Sequence, residues 1–179
     1  DIQEQALTAT DRLLREHQMR DRAILYLESH VHMDRYVQEE SVDGIFFNFG
    51  YLPGGDHALA TRPDTSVEAI GKGLKLLKKG GVMALCIYSG GDTGYEEKEK
   101  ILEYMKSLDE KRYLVIANSF YNRKRSAPAG ICCKEVKKVW DLRFLTYNKD
   151  KSEHRSLFLC IKKKIRLCFF FYFLYFFPI

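Results

Sequence analysis

An apolar run in this sequence ends abruptly on a polar residue and a glycine-rich loop. Residues 44–47 (GIFF) are followed by Asn48, and the loop that comes next contains a Pro-Gly-Gly turn and the carboxylate of Asp56. Ligands of open α/β sheets bind outside the carboxyl ends of the strands. A strand that ends on Asn before such a loop is therefore typical of an active-site loop. The alternative is a strand followed by a tight turn, because Gly and Pro mark turns in any context.

Two more apolar runs end in polar residues. Residues 23–27 (AILYL) predict a short buried strand that ends at Ser29 and His30, and residues 82–88 (VMALCIY) predict a strand that ends at Ser89. Because the carboxyl ends of parallel strands meet at one edge of a sheet, His30, Asn48 and Ser89 are expected to converge. A single His at a strand end is as often structural as functional, so its role stays open.

The remaining periodicity predicts the elements that position these residues. Helical spacing predicts helices over residues 2–19, 67–79 and 95–108, with a further short helix within 31–42. Apolar runs predict strands over residues 23–27, 43–49, 82–88, 113–120 and 131–136. This alternation predicts an α/β fold with a largely parallel sheet. Its last two strands are close enough in sequence to form an antiparallel pair.

Local signals predict where two of the helices begin and end. Asp1 is expected to cap the first helix, and the Asp64-Thr65-Ser66 segment is expected to cap the second. Gly80-Gly81 is expected to end that second helix. The continuous apolar run at 82–88 predicts a strand that is covered on both faces.

Charge and aromatic content are unevenly distributed along the 179 residues. The net charge is +5, but residues 137–179 alone hold ten Lys/Arg against three Asp/Glu, so residues 1–136 are near neutral. The body of the chain therefore lacks the bulk electrostatic footprint of a nucleic-acid-binding domain.

The five cysteines form no CxxC and no metal-ligand pattern, which favours a reducing, cytoplasmic setting and no metal. The first residue is not Met and no signal peptide follows it, which suggests a missing start.

The tail, residues 137–179, departs from the strand and helix pattern of residues 1–136. Residues 168–177 (CFFFYFLYFF) are nearly all aromatic, a run too short to span a bilayer, and residues 162–166 (KKKIR) are basic. We interpret the tail as a non-native or disordered terminus, since AT-rich DNA read out of frame encodes such residues. An interfacial membrane anchor is the alternative.

Several segments of the body resemble one family. They are Asp1-Ile2-Gln3, Glu28-Ser29-His30, residues 48–56 (NFGYLPGGD), Arg62-Pro63-Asp64-Thr65, residues 88–97 and Tyr121-Asn122. Together they resemble the YtqB/MnmM family of class I S-adenosylmethionine-dependent methyltransferases, also labelled rRNA methylases, over residues 1–136. Its members include tRNA enzymes that N-methylate 5-aminomethyl-2-thiouridine. The string at 48–56 carries most of this likeness, because its length and order make a chance match improbable.

The resemblance implies a Rossmann-like methyltransferase sheet, mostly parallel, with an antiparallel last strand pair. In such enzymes two strands and a Gly-rich loop precede an acid that binds the cofactor ribose, and Asp1 resembles that acid. The sequence is therefore expected to be truncated at its N-terminus and to lack the first two strands. The implied cofactor is S-adenosylmethionine, and the implied partner is RNA, most concretely tRNA. The implied localisation is cytoplasmic, and a homodimer is compatible with the resemblance.

The resemblance also implies roles for individual residues. Asn48 resembles the Asn of the Asn-Pro-Pro-Tyr loop in amino-methyltransferases, where the side-chain carbonyl accepts the hydrogens of the amine that is methylated. Tyr51 would stack on the base, and Asp56 would orient the amine or the loop. The implied cofactor-binding residues are Asp1, Ile2, Ser29, His30, Asn48 and Gly50. The implied substrate-binding residues are Leu52, Pro53, Gly54, Gly55, Thr65, Tyr88, Gly90, Gly91, Tyr121 and Asn122.

Two other classes of protein remain open at this point. One is a non-catalytic Rossmann-like nucleotide-binding fragment or an inactive fragment of an enzyme, and the other is a tail-anchored membrane-surface protein. The basic stretch after Asn122, residues 123–125 (RKR), could contact tRNA phosphates or could be a solvated loop.

Overall fold

The structure is a computed structural model that describes residues 1–49, 61–88, 94–119, 122, 129–134 and 167–169. The helices are α1 (Glu4–Glu16), α2 (Pro63–Leu76) and α3 (Gly94–Lys106), and 3₁₀ turns cover Arg20–Arg22 and His30–Arg35. The strands are β1 (Val42–Phe49), β2 (Leu77–Ile87), β3 (Tyr113–Asn118), β4 (Ala129–Lys134) and β5 (Leu167–Phe169). They form one sheet in the order β3-β4-β2-β1-β5.

The sheet is mostly parallel, as predicted. β1 pairs in parallel with β2 on one side and with β5 on the other. β4 is antiparallel to both β2 and β3, so β4 is the one described strand that runs against the rest. The predicted antiparallel pairing of the last two strands of the body is thereby confirmed.

The hydrophobic core lies against one face of this sheet. Alternate residues of β1 and β2 point into it, and α2 and α3 cover them with their apolar stripes. Gly73 lets α2 approach closely, because a Cβ at this position would lie 2.7 Å from the Met83 Cε and 3.3 Å from the Ile45 Cδ1. The buried side chains of the two strands are Val42, Ile45, Phe47, Phe49, Leu77, Met83, Leu85 and Ile87.

The opposite face of β2 is only half-buried, which makes the prediction of a strand covered on both faces wrong. Val82, Ala84 and Cys86 point to this face, and each is partly exposed. The physical reason is that α2 and α3 both pack on the other side of the sheet. Helix α1 has no buried residue, and it contacts the 3₁₀ turn at Arg20–Arg22.

Helix α2 begins earlier and ends earlier than the sequence pattern predicted. It starts at Pro63, whose fixed φ suits the first helical position, and Arg62 is an N-cap without a side-chain hydrogen bond. Thr65 and Ser66 therefore lie in the first turn and the predicted cap is wrong. The helix ends at Leu76 because Leu77 is fully buried as the first residue of β2, where it pairs with Val42. Gly80 then lies within β2, not at a helix end.

The predicted strand at residues 23–27 is not formed. Ile24 and Leu27 are 77% and 58% exposed, and the segment is extended without belonging to the sheet. A strand needs a partner along its length. At its end, the amino group of Asp1 donates to the Tyr26 carbonyl and the Asp1 carbonyl accepts from the Glu28 amide; at its start, the backbone of Ala23 bonds to Arg20 of the preceding 3₁₀ turn. None of these contacts is the ladder of a neighbouring strand.

The start of α1 also differs from the prediction. The N-cap is Gln3, and its side chain makes no capping hydrogen bond. The Asp1 carboxylate accepts a hydrogen bond from the Gln3 amide at 2.9 Å, so it orders the approach to the helix instead of capping it.

The tail contributes β5, which pairs with residues 44–46 of β1. The rest of the tail and residues 135–136 lie outside the described residues, so the division of the chain at residue 136 stays a prediction. Within the described ranges, no helix combines the length and apolar character that crossing a membrane requires.

Candidate active site

The carboxyl end of β1 carries two buried aromatic rings, and His30 sits beside both of them. Phe47 and Phe49 stack with centroids 5.0 Å apart, and the His30 ring meets them edge-on at 6.2 Å and 6.1 Å. His30 thus reaches the end of β1 where Asn48 lies, although residues 23–27 form no strand. Because side chains alternate along a strand, Asn48 points to the opposite face from the two rings. The two predicted polar residues therefore share a strand end but occupy opposite faces of β1.

A compact 3₁₀ turn positions His30. The Ser29 hydroxyl accepts from the Val31 amide at 3.4 Å, and the Val31 carbonyl accepts from the Lys72 ammonium at 2.9 Å. The Ser29 side chain thus caps the start of this turn, and Lys72 connects the turn to α2. Pairing of Glu28 with His32, at 2.8 Å, fixes the entry of the turn and lowers the pKa of the Glu28 carboxyl.

His30 is held as a neutral ring at pH 7. Burial lowers the pKa of its imidazole from 6.5 to about 4, and the nearby amino group of Asp1 acts in the same direction. A hydrogen bond with the Thr65 backbone opposes the shift but does not cancel it. The Thr65 hydroxyl itself donates to the Arg62 carbonyl at 2.9 Å. Thr65 therefore meets His30 through its backbone, and Asp1, His30 and Thr65 come together at this edge.

The pKa of His30 predicts a pH-dependent stability. Because the folded pKa is below the unfolded value, the unfolded state binds more protons between pH 6.5 and about 4. The free energy of unfolding is expected to fall through this window as pH is lowered, by up to about 3 kcal/mol. Urea unfolding of the wild type and of His30→Gln between pH 7.5 and 4 measures this contribution as the difference between the two slopes. The exposed His17→Gln variant is the control, and parallel curves for wild type and His30→Gln would contradict the assignment.

Asn48 provides a buried acceptor on the other face. Its Oδ1 atom is inaccessible to solvent and has no hydrogen-bond partner within the described part of the chain. Asn48 pairs in register with Cys86 of β2, and burial raises the pKa of the Cys86 thiol, so that thiol is uncharged at pH 7. Tyr88 follows directly after β2 and is 42% exposed. This face of the strand ends is therefore polar without being charged.

Asp1 and Ile2 begin the segment that leads into α1. One oxygen of the half-buried Asp1 carboxylate is used by the Gln3 amide, while Ile2 is 54% exposed. Asn122 is an exposed turn residue. The other predicted site residues fall outside the described residues, and so does Ser89: they are Gly50, Tyr51, Leu52, Pro53, Gly54, Gly55, Asp56, Gly90, Gly91 and Tyr121.

Two polar residues behind this edge were missed by sequence reasoning. Ser66 and Glu97 are the buried polar residues of the described ranges, and the Ser66 hydroxyl donates to the Glu97 carboxylate at 2.5 Å. A signal existed in the sequence, since Glu97 precedes Ile101 and Met105 at the spacing of the inward stripe of α3. Among the residues that the structure describes, no group of three or more His, Cys, Asp or Glu could hold a metal ion.

The order of the described strands, with β4 antiparallel to its two neighbours, is that of a Rossmann-like α/β fold. Residues 1–134 match the family described as "Putative rRNA methylase", and the chain belongs to this family. A curated relative from Arabidopsis thaliana, "tRNA (mnm(5)s(2)U34)-methyltransferase, chloroplastic", is 31% identical over 133 residues. That match covers 69% of this chain and 46% of the relative, so the chain spans about half the length of this curated protein.

Solved structures of related proteins share the fold. A "putative rRNA-methylase" from Clostridium thermocellum is 40% identical with a TM-score of 0.71, and the match covers 76% of this chain and 73% of that one. A "putative methyltransferase" from Streptococcus mutans, solved in complex with SAH, is 32% identical with a TM-score of 0.66. That match covers 75% of this chain and 73% of the other. The predicted family and the predicted fold class are thereby confirmed.

Proposed function

We propose that this chain is part of an S-adenosylmethionine-dependent methyltransferase that acts on RNA, and that the methylated group is the amine of an aminomethyl-uridine in tRNA. The observation that carries the proposal is the buried, unpartnered Oδ1 of Asn48 at the end of β1, within the described residues. A buried acceptor without a partner costs about 1–3 kcal/mol, which a donor on the substrate would recover. The family and the tRNA-modifying relative support the same substrate class.

The residues at this edge fit the proposed cofactor. One oxygen of the Asp1 carboxylate accepts a hydrogen bond from the Gln3 amide, and its second oxygen could accept from ribose hydroxyls. His30, neutral and partly buried between the strand end and Thr65, offers an uncharged wall suited to adenine. When bound, S-adenosylmethionine would supply an electrophilic methyl group on its sulfonium, and S-adenosylhomocysteine would be the leaving group.

The protein's task in such a reaction is to position a neutral amine. An alkyl amine is protonated at neutral pH, so it must release one proton before its lone pair can attack. The Oδ1 of Asn48 would accept an amine hydrogen and so aim that lone pair. A pKa of about 4 makes His30 a weak base, which favours a binding role for this ring. Tyr51 and Asp56 keep their proposed roles in stacking on the base and orienting the amine.

The remaining expectations follow the same proposal. The partner is RNA, with tRNA as the specific candidate, and no metal enters the reaction. A cytoplasmic setting and a possible homodimer remain predictions, and the Arabidopsis relative is chloroplastic by name.

Methyl transfer to defined RNAs tests the proposal. We expect residues 1–179 to transfer a radiolabelled methyl group from S-adenosylmethionine to tRNA that carries an aminomethyl-uridine. The matched control is the same tRNA with an unmodified uridine, which lacks the amine and should remain unlabelled. Labelling of both tRNAs would overturn the amine as target. Cofactor binding without labelling of either tRNA would instead favour a non-catalytic nucleotide-binding protein.

A further inference from the structure

Helices α2 and α3 are joined through a buried hydrogen bond between their first turns. Ser66 is fully buried and Glu97 is 2% exposed, and the Ser66 Oγ donates to the Glu97 Oε1 at 2.5 Å. The neighbouring acid of α3, Glu96, points to solvent and pairs with Lys100 at 3.3 Å. Two adjacent glutamates of one helix turn thus have opposite surroundings.

A carboxylate at this position is not explained by packing. Glu97 occupies the inward stripe of α3 with Ile101 and Met105, where an apolar side chain would bury surface without a desolvation cost. The hydrogen bond from Ser66 and the positive end of the α3 dipole reduce that cost but do not remove it. A costly polar contact in an apolar stripe is more consistent with a role in placing the two helix ends than with stability alone.

The contact lies one residue from the wall of the candidate site. Ser66 follows Thr65, whose backbone bonds to the His30 ring, and His30 packs against Phe47 and Phe49. We propose that Glu97 is a positioning residue: through Ser66 it holds the first turn of α2 so that Thr65 keeps His30 in place at the cofactor side of the site. This inference rests on the proposed function for the identity of the ligand, but the placement of His30 can be measured without any ligand.

The test compares four variants of the full chain. Glu97→Leu and Ser66→Ala each remove the hydrogen bond, Glu97→Gln keeps an acceptor oxygen for the Ser66 hydroxyl, and Glu96→Gln is the matched exposed control. The readouts are the His30 ring signals and their titration by NMR, and the affinity for S-adenosylhomocysteine by calorimetry. We expect Glu97→Leu to shift the His30 signals and to weaken binding about tenfold, the effect of losing one hydrogen bond to a charged group. Glu97→Gln should restore both readouts, and Glu96→Gln should change neither.

The outcomes separate this inference from the proposed function. Unchanged His30 signals in a folded Glu97→Leu protein would overturn the positioning role, and failure of the Gln variant to restore them would do the same. If Glu97→Leu does not fold, Ser66→Ala removes the same hydrogen bond with a smaller change of side-chain volume, and its His30 signals are measured instead. If the wild type binds no S-adenosylhomocysteine while His30 still responds to Glu97, the positioning role stands and the cofactor assignment fails.

Discussion

Replacing Asn48 with Ala is expected to lower the rate of methyl transfer to an aminomethyl-uridine tRNA at least about tenfold, with the affinity for S-adenosylmethionine nearly unchanged. The reason is that the buried Oδ1 of Asn48 is available to a substrate donor, whereas the cofactor is assigned mainly to Asp1 and His30. An acceptor that aims a lone pair acts in the transition state, so its loss should appear in turnover more than in binding. Single-turnover labelling, with calorimetry on the same protein, measures the two quantities separately.

A matched control for this variant is available in the sheet. Asn118 ends β3 as an exposed residue, so Asn118→Ala removes the same chemical group from another strand end. It should leave the rate of methyl transfer unchanged. Unaltered turnover in Asn48→Ala would eliminate the proposed role of this side chain. An equal loss in both variants would point to a general effect on the sheet.

Replacing Phe47 with Ala is expected to lower the free energy of unfolding by about 3–5 kcal/mol. Its side chain is 3% exposed, stacks on Phe49 and contacts the edge of His30, so its removal leaves a cavity under α2 and beside the site. The affinity for S-adenosylhomocysteine should fall as well, because His30 loses one of its two aromatic supports. Urea unfolding monitored by circular dichroism, combined with calorimetry, measures both effects.

The neighbouring residue on the same strand is the control. Phe46 points to the opposite face and is 37% exposed, so Phe46→Ala removes the same ring from a half-open position. Its cost should be clearly smaller than that of Phe47→Ala, since less apolar surface returns to water and no closed cavity forms. Equal losses for the two variants would mean that the face of β1 under α2 is not the core of the fold.

Most of the sheet could be predicted because runs of apolar residues indicate its strands. The runs at β1 and β2 are long and end on polar residues, and the short link between β3 and β4 required an antiparallel pair. The segment at 23–27 has an equally apolar run but no strand, because strand formation depends on a neighbour that local sequence does not reveal. The start of α2 was misplaced because Pro63 sets the first turn more strongly than the Asp-Thr-Ser segment sets a cap.

The candidate site was only partly accessible to sequence reasoning. His30 and Asn48 both lie at the end of β1, but a 3₁₀ turn and not a strand carries His30, and Ser89 falls outside the described residues. That these two side chains occupy opposite faces follows from where the 3₁₀ turn docks, a tertiary contact through Lys72 and Thr65. The helical spacing places Glu97 on the inward stripe of α3, but its partner Ser66 comes from another helix, and local sequence does not reveal that contact.

Calorimetry with S-adenosylmethionine on residues 1–179 measures whether these residues form a cofactor site. We expect a saturable heat with one site per chain, reduced in a His30→Ala variant and nearly unchanged in Asn48→Ala. These two variants change opposite faces of the same strand end. The difference between their affinities for S-adenosylmethionine therefore shows which face binds the cofactor and which is left for the amine. An absence of binding heat in a folded wild-type chain would contradict the claim that these residues form a cofactor site.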